Sequence, residues 1–303
     1  MKKLRRRLLI PLILLALFLF LLYGPWVTFR LVFINTAMHT SRFQFVARMF
    51  YTESYINRVI GRVEPEENPR TDTSIALAHN WNDGIYFAEI RGDHFRGFLI
   101  RVNDPRRLSF PQSPVPEGVL LEQIVAANHA IGGISASGYA YADRRGIVWG
   151  KTIVDGQFIS RCTKSEYHVI GGFNRYYQLV VGGFNEAEIL AQDYQWAFEF
   201  FPLLIVNGEK IPFPPHSGGY APRAAIGQTA EGHVLLLVVD GRQRTSIGAT
   251  FSDIQTVLYA NGAVNAINLD GGSTASMVFR GGLVNNPSDG DRERLLPNAI
   301  VFR

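Results

Sequence analysis

Six consecutive apolar residues, Val234–Val239 (VLLLVV), run directly into Asp240-Gly241. A strand that is apolar at every position must be covered on both faces, so the chain needs material above and below a sheet. Thirty positions on, Ala263–Leu269 reads as a second buried strand; it ends at Asp270, followed by Gly271-Gly272-Ser273-Thr274. The 303 residues, 47 % hydrophobic and 18 % charged, can bury such a core without covalent staples. The single Cys162 excludes an intramolecular disulfide framework and any multi-cysteine metal site.

Other segments fill in around these strands. Gly84–Ile90 alternates as a strand, and a second begins at Phe98-Leu99-Ile100 and ends at Asp104-Pro105. Gly118–Ala130 sets Leu121, Ile124, Val125 and Asn128 at helical intervals, and Gly132–Gly138 reads as a Gly/Ser-rich turn before short strands that run to about residue 182. Asn185 is placed to cap a short helix reaching Gln192, Ser252–Tyr259 reads as a helix, and Ala299–Phe302 as a closing strand. Strands and helices follow no βαβ rhythm. The expected fold class is α+β, a mixed β-sheet core with interspersed short helices, preceded by an N-terminal transmembrane helix.

That last element rests on charge. Lys2, Lys3, Arg5, Arg6 and Arg7 carry more than the whole net charge of +4, leaving residues 8–303 at −1. The basicity is therefore a terminal tip and not a nucleic-acid face, and no nucleic-acid partner is expected. Residues 8–29 carry no charge, and as one helix they would cover ~33 Å against a hydrocarbon core of ~30 Å. This predicts a signal anchor that meets the lipid bilayer through residues 8–29, with Tyr23 and Trp26 at the interface and Gly24-Pro25 breaking the helix. The rival is a cleaved secretory signal. Both place residues 35–303 outside the cytoplasm, in a bacterial cell envelope. The resulting division is a basic tip and anchor over 1–34, an amphipathic helix and linker over 35–73, and a domain over 74–303. The helix carries Phe45, Val46, Met49 and Phe50 behind a cap at Thr40 or Ser41, and the linker is the charged stretch Gly61–Thr73.

The chemistry points to the two strand-end aspartates. An Asp held rigidly among buried neighbours is partly desolvated, which raises its pKa and suits acid or base work. Gly-Gly behind Asp270 lets backbone amides approach a ligand, and Ser273 and Thr274 add hydroxyls. The plainer reading is that each Asp caps a turn. Arg223 and Arg242 each offer a guanidinium that can hold a phosphate bidentately, or simply pair with a surface Asp. Gly132–Tyr139 resembles an anion-cradling loop. The seven histidines show no metal spacing, so no zinc site or organic cofactor is expected, and the sequence assigns no divalent-metal site.

Several runs together resemble the phosphodiester glycosidase family: PRAAIGQ (222–228), LLLVVDGRQ (235–243), GAVNAINLDGGS (262–273) and LVNNPSD (283–289), with ISASGY (134–139) and FPLLIVNG (201–208) upstream. MHTSRFQFVARMF (38–50) resembles the membrane-anchored bacterial branch, often labelled exopolysaccharide biosynthesis proteins. The chain departs from the family pattern at Ser135, where Asn is usual, at Ala224, where Thr is common, and at Ala275, which interrupts a serine run. The resemblance implies hydrolysis of a sugar-1-phosphodiester at the anomeric centre, in exopolysaccharide or cell-envelope glycan metabolism. It implies Asp270 and Asp240 as the carboxylate pair, and Arg223, Arg242, Asn268, Gly271, Gly272, Ser273, Thr274, Ser135 and Ser137 as groups that bind the carbohydrate phosphodiester. The alternative is a non-catalytic protein that binds a glycan or teichoic-acid-like polymer during export. A metal-dependent nuclease or phosphatase would want a denser set of acidic or histidine ligands.

Overall fold

The VLLLVV run forms the Val234–Val239 strand over its full length, and every residue of it is buried. The structure is a computed structural model that describes residues 2–38, 43–60, 65–142, 145–288 and 294–303. Two units are distinguished: Met1–Arg62 with Phe213–Gly219, and Val63–Pro212 with Tyr220–Arg303.

In the larger unit, Val234–Val239 is the third strand of a seven-stranded sheet. The order is Ile85–Arg91, Arg96–Val102, Val234–Val239, Arg223–Thr229, Ala263–Leu269, Leu203–Val206 and Glu209–Lys210, with every neighbouring pair antiparallel. Alternate side chains (Ile100, Leu236, Val238, Ala224, Ile226, Ile267, Leu269) enter the main core. There they meet Phe173, Trp196 and Phe198 of a five-stranded sheet, and Ile134, Met277, Ile300 and Phe302 of another. The intervening residues, such as Leu235 and Leu237, are buried as well, and the helix Phe251–Ala260 packs against four strands of the sheet. That double cover is why the strand needs an unbroken apolar run. The helix starts with a reciprocal cap: Asp253 N–H donates to Thr250 Oγ1 (3.2 Å), and Thr250 N–H donates to Asp253 Oδ2 (2.8 Å). Asn185 caps Glu186–Ala191 in the same manner.

The α+β expectation holds, and Ala263–Leu269 and Ala299–Phe302 form strands over the expected residues. Gly132–Ser135 differs. It is a buried strand between Met277–Phe279 and Ala299–Phe302, not a turn. A Cβ at Gly132 would collide with Val278 O and the Phe302 ring, so this glycine serves close packing.

The smaller unit contains the helices Lys2–Tyr23, Val27–Met38, Gln44–Phe50 and Glu53–Ile60. Ile34, Ala37, Ala47, Ile56 and Val59 form its own apolar cluster. Ser217 Oγ donates to Ile60 O (2.9 Å), and Gly218 N–H donates to Asn35 Oδ1 (3.2 Å), which ties in the 213–219 segment. The expectation of an N-terminal transmembrane helix is overturned: among the described residues no helix is long and apolar enough to cross a membrane. The cause lies in where the helix begins and ends. Lys2–Tyr23 includes the basic tip and stops before Gly24-Pro25, so only 16 uncharged residues, Leu8–Tyr23, lie within it. They make about 24 Å of helix, short of a ~30 Å hydrocarbon core. With that helix goes the support for a lipid-bilayer partner through residues 8–29. Tyr23 Oη instead donates to Phe50 O (2.9 Å), and Tyr51 Oη donates to Leu22 O (2.8 Å). The caps expected at Thr40 and Ser41, and residues 61–64 of the expected linker, lie outside the described residues.

Candidate functional site

Register brings the site together. Ala224 pairs with Val238 on one side and Leu269 on the other. Arg223 therefore opens the central strand where both neighbours end, and Asp240 and Asp270 follow those ends at once. With one strand between them, the backbones of the two aspartates stand about 10 Å apart.

Asp270 keeps part of its surface open, but the surrounding protein desolvates the carboxyl and pushes its pKa up to about 6. The Thr274 hydroxyl, the Arg294 charge and the Gly271 N–H oppose that rise without cancelling it. Its own N–H donates to Ala136 O (2.9 Å), which fixes the Ser135–Ser137 segment beside it. Asp240 is more enclosed. Its Oδ1 accepts from Asn286 N–H (2.8 Å) and Asn285 Nδ2 (3.3 Å), while its carbonyl accepts from Ser246 Oγ (2.6 Å). Burial raises its pKa, against the pull of those Asn donors and the Arg96 charge.

Arg223 is buried, lies 4.3 Å over the Phe251 ring and donates from Nε to Ala249 O (3.0 Å). Burial first, and the neighbouring Arg242 charge second, lower its pKa to about 9, which leaves it cationic at neutral pH. Arg242 is exposed, with a φ of 59°. Its guanidinium nitrogens stand 3.4 and 3.6 Å from where a Gly272 Cβ would be, and Gly272 itself has a φ of +65°. Glycine at 272 therefore answers a backbone requirement, while a Cβ there would make only an ordinary contact with Arg242. Gly272 N–H donates to Pro222 O (2.9 Å), a Cβ at Gly271 would crowd the same oxygen, and Thr274 Oγ1 donates to Gly271 O (2.7 Å). These bonds lay the 271–274 turn across the start of the Arg223 strand.

The remaining residues read from sequence fall nearby. Asn268, two positions before Asp270, donates from Nδ2 to Phe201 O (3.0 Å), and its Oδ1 is buried with no partner. Ser137 N–H donates to Asn298 Oδ1 (3.1 Å), and its hydroxyl too is buried without a partner. Ser135 is less available: its Oγ accepts from Ser276 N–H (3.3 Å) within the sheet. Ser273 Oγ accepts from Arg294 Nη1 (3.3 Å). Arg294, Asn285 and Asn286 were not singled out in the sequence. The two asparagines lie within the LVNNPSD run, where their pairing with Asp240 depends on a contact 45 positions back in the chain; nothing around Arg294 marks it.

A cavity of about 660 Å³ lies elsewhere, lined among others by Phe110, Asp155, Arg175 and Trp196, and none of the residues above lines it. Among the described residues no group of three His, Cys, Asp or Glu side chains is placed to hold a metal ion.

The phosphodiester glycosidase family model matches residues 128–303. The chain is 26 % identical over 252 residues to the N-acetylglucosamine-1-phosphodiester alpha-N-acetylglucosaminidase of Mus musculus, covering 76 % of this chain and 48 % of that protein. It is 41 % identical over 69 residues to the SPbeta prophage-derived uncharacterized protein YomE of Bacillus subtilis (strain 168), 23 % of this chain and 11 % of that one. The chain thus spans half or less of the length of these two curated relatives. Among solved structures it resembles the catalytic domain of the zebrafish N-acetylglucosamine-1-phosphodiester alpha-N-acetylglucosaminidase, auto-inhibited by its pro-peptide. The TM-score is 0.61 at 21 % identity, over 78 % of this chain and 88 % of that one, a similarity of fold. The matched family region contains both strand-end aspartates and Arg223, and the chain belongs to the phosphodiester glycosidase family.

Proposed function

We propose that this protein hydrolyses a sugar-1-phosphodiester by cleaving the bond between the anomeric carbon and the phosphate oxygen. The observation that carries this reading is the convergence of Asp240, Asp270 and Arg223 at one end of three register-locked strands. As the phosphate leaves, the sugar ring develops positive charge, which a fixed carboxylate stabilises, and the attacking water needs a proton acceptor. Asp240, oriented by Asn285 and Asn286, faces the developing charge. Asp270, with its pKa raised to about 6, accepts the proton as water adds to the anomeric carbon and the phosphomonoester departs with the bonding electrons.

The phosphate falls to the cations. Arg242 and Arg294 stand at the 271–274 turn, the Ser273 hydroxyl adds a donor and Arg223 adds its buried charge at the start of the neighbouring strand, so the phosphodiester leaves without needing strong protonation. Arg223→Lys keeps the charge but loses the planar fork, and kcat/KM should fall about 10-fold, on the order of 1.4 kcal/mol. Equal activity in the lysine variant would assign Arg223 to packing against Phe251 alone.

The substrate is placed in exopolysaccharide or cell-envelope glycan metabolism, outside the cytoplasm. The basic tip followed by an apolar run has the order of an export signal, which supports that placement. The experiment is release of free sugar from a panel of sugar-1-phosphodiesters, run with and without chelator. Sugar released at the same rate in both arms is expected. Binding of the panel with no release would favour the non-catalytic glycan-binding reading, and release abolished by chelator would call for a metal in the mechanism.

A further inference from the structure

Beside Asp270 stands a group of aromatic rings that the chemistry above does not use. Trp149 and Phe201 are 38 % and 53 % exposed, with ring centroids 6.1 Å apart at an interplanar angle of 66°. Phe200 stacks on Phe201 at 5.8 Å. Each exposed ring is connected to the site through the backbone. Trp149 N–H donates to Gly138 O (2.8 Å), next to Ser137, and Phe201 O accepts from Asn268 Nδ2 (3.0 Å), two residues before Asp270. Asn268 N–H also donates to Pro202 O (3.1 Å), and a Cβ at Gly138 would stand 2.9 Å from the Phe200 ring. The rings are thereby held at a fixed place relative to Asp270.

Large apolar rings left in solvent next to a polar site ask for a ligand with an apolar face of its own. We propose that Trp149 and Phe201 form a wall against which the sugar ring of the substrate stacks. This rests on the sugar-1-phosphodiester reading and assigns the sugar's place within it. A pyranose presents a face of C–H groups to an aromatic surface while its hydroxyls point to the sides. Phe201 lies against Asn268, two residues before Asp270, so the wall adjoins the carboxylate that takes the water proton at the anomeric carbon. Arg242 and Arg294 stand instead at Gly272 and Ser273, where the phosphate and the aglycone beyond it are placed.

The test uses the full chain, with methyl and benzyl phosphodiesters of N-acetylglucosamine and of glucose as probes, read both as initial rates and as calorimetric binding. Both side chains are exposed, so Trp149→Ala and Phe201→Ala should keep the wild-type melting temperature. The double variant should weaken KM and binding at least about tenfold for the preferred sugar, to the same extent with methyl and benzyl aglycones, and leave kcat within about threefold. Trp149→Phe should recover most of the loss. A loss confined to the benzyl diesters would assign the wall to the aglycone and overturn the proposal, as would unchanged binding or no binding of any probe by the wild type. If the wild type binds the diesters without cleaving them, and the double variant loses that binding, the sugar wall stands and the hydrolase reading falls.

Discussion

Asp270→Asn should lose at least about 100-fold in kcat/KM while melting at a higher temperature than the wild type at pH 8. The amide keeps the shape of the carboxyl and removes its proton chemistry. The stability gain follows from the raised pKa. The folded protein holds the Asp270 proton up to about pH 6, whereas an unfolded chain releases it near its ordinary value of 3.8. A raised carboxyl pKa thus contributes stability that is complete below 3.8 and is lost as pH rises through 6. Above pH 6 the wild type carries a desolvated carboxylate at a cost of about 1–3 kcal/mol, and asparagine removes that cost. The difference in melting temperature between the two proteins should shrink as pH falls from 7 to 4. If Asp270 only capped a turn, the variant would be less stable by up to ~1 kcal/mol and fully active.

Asp240→Asn should be nearly as damaging, about 100-fold in kcat/KM, because it removes the negative charge that faces the anomeric carbon. An asparagine oxygen can still accept from Asn286 N–H and Asn285 Nδ2, so the variant should keep the wild-type fold. Its residual activity should retain the rise with pH through about 6, since that limb belongs to Asp270 in this account. A residual activity whose pH dependence had disappeared would exchange the two roles, and full activity would remove Asp240 from the chemistry.

The strands that build the site were legible in the sequence because their burial is uniform. VLLLVV is apolar throughout and NAINL is buried throughout despite Asn265 and Asn268, and each ends in Asp and glycine at the residue where the structure ends the strand. What the sequence could not show is which strand lies between them: Arg223, Asp240 and Asp270 converge only through the Ala224 register. Gly132 illustrates a second limit, since a glycine needed for close approach to Val278 O has the same letter as one needed for a turn. At the N-terminus, a charge-free run of 22 residues suited a membrane helix, but counting charges does not count helical residues, and the break before Gly24-Pro25 shortens the run. Asn285 escaped notice for the reverse reason. Its value is a hydrogen bond to Asp240, between residues that nothing local connects.

Hydrolysis in ¹⁸O-labelled water tests the central claim most directly, because it shows which bond breaks. With a sugar-1-phosphodiester as substrate, attack at the anomeric carbon leaves the phosphate oxygens untouched, so the released phosphomonoester should carry no label by mass spectrometry. Label in the phosphomonoester would mean attack at phosphorus, and would contradict a glycosidase built on Asp240 and Asp270.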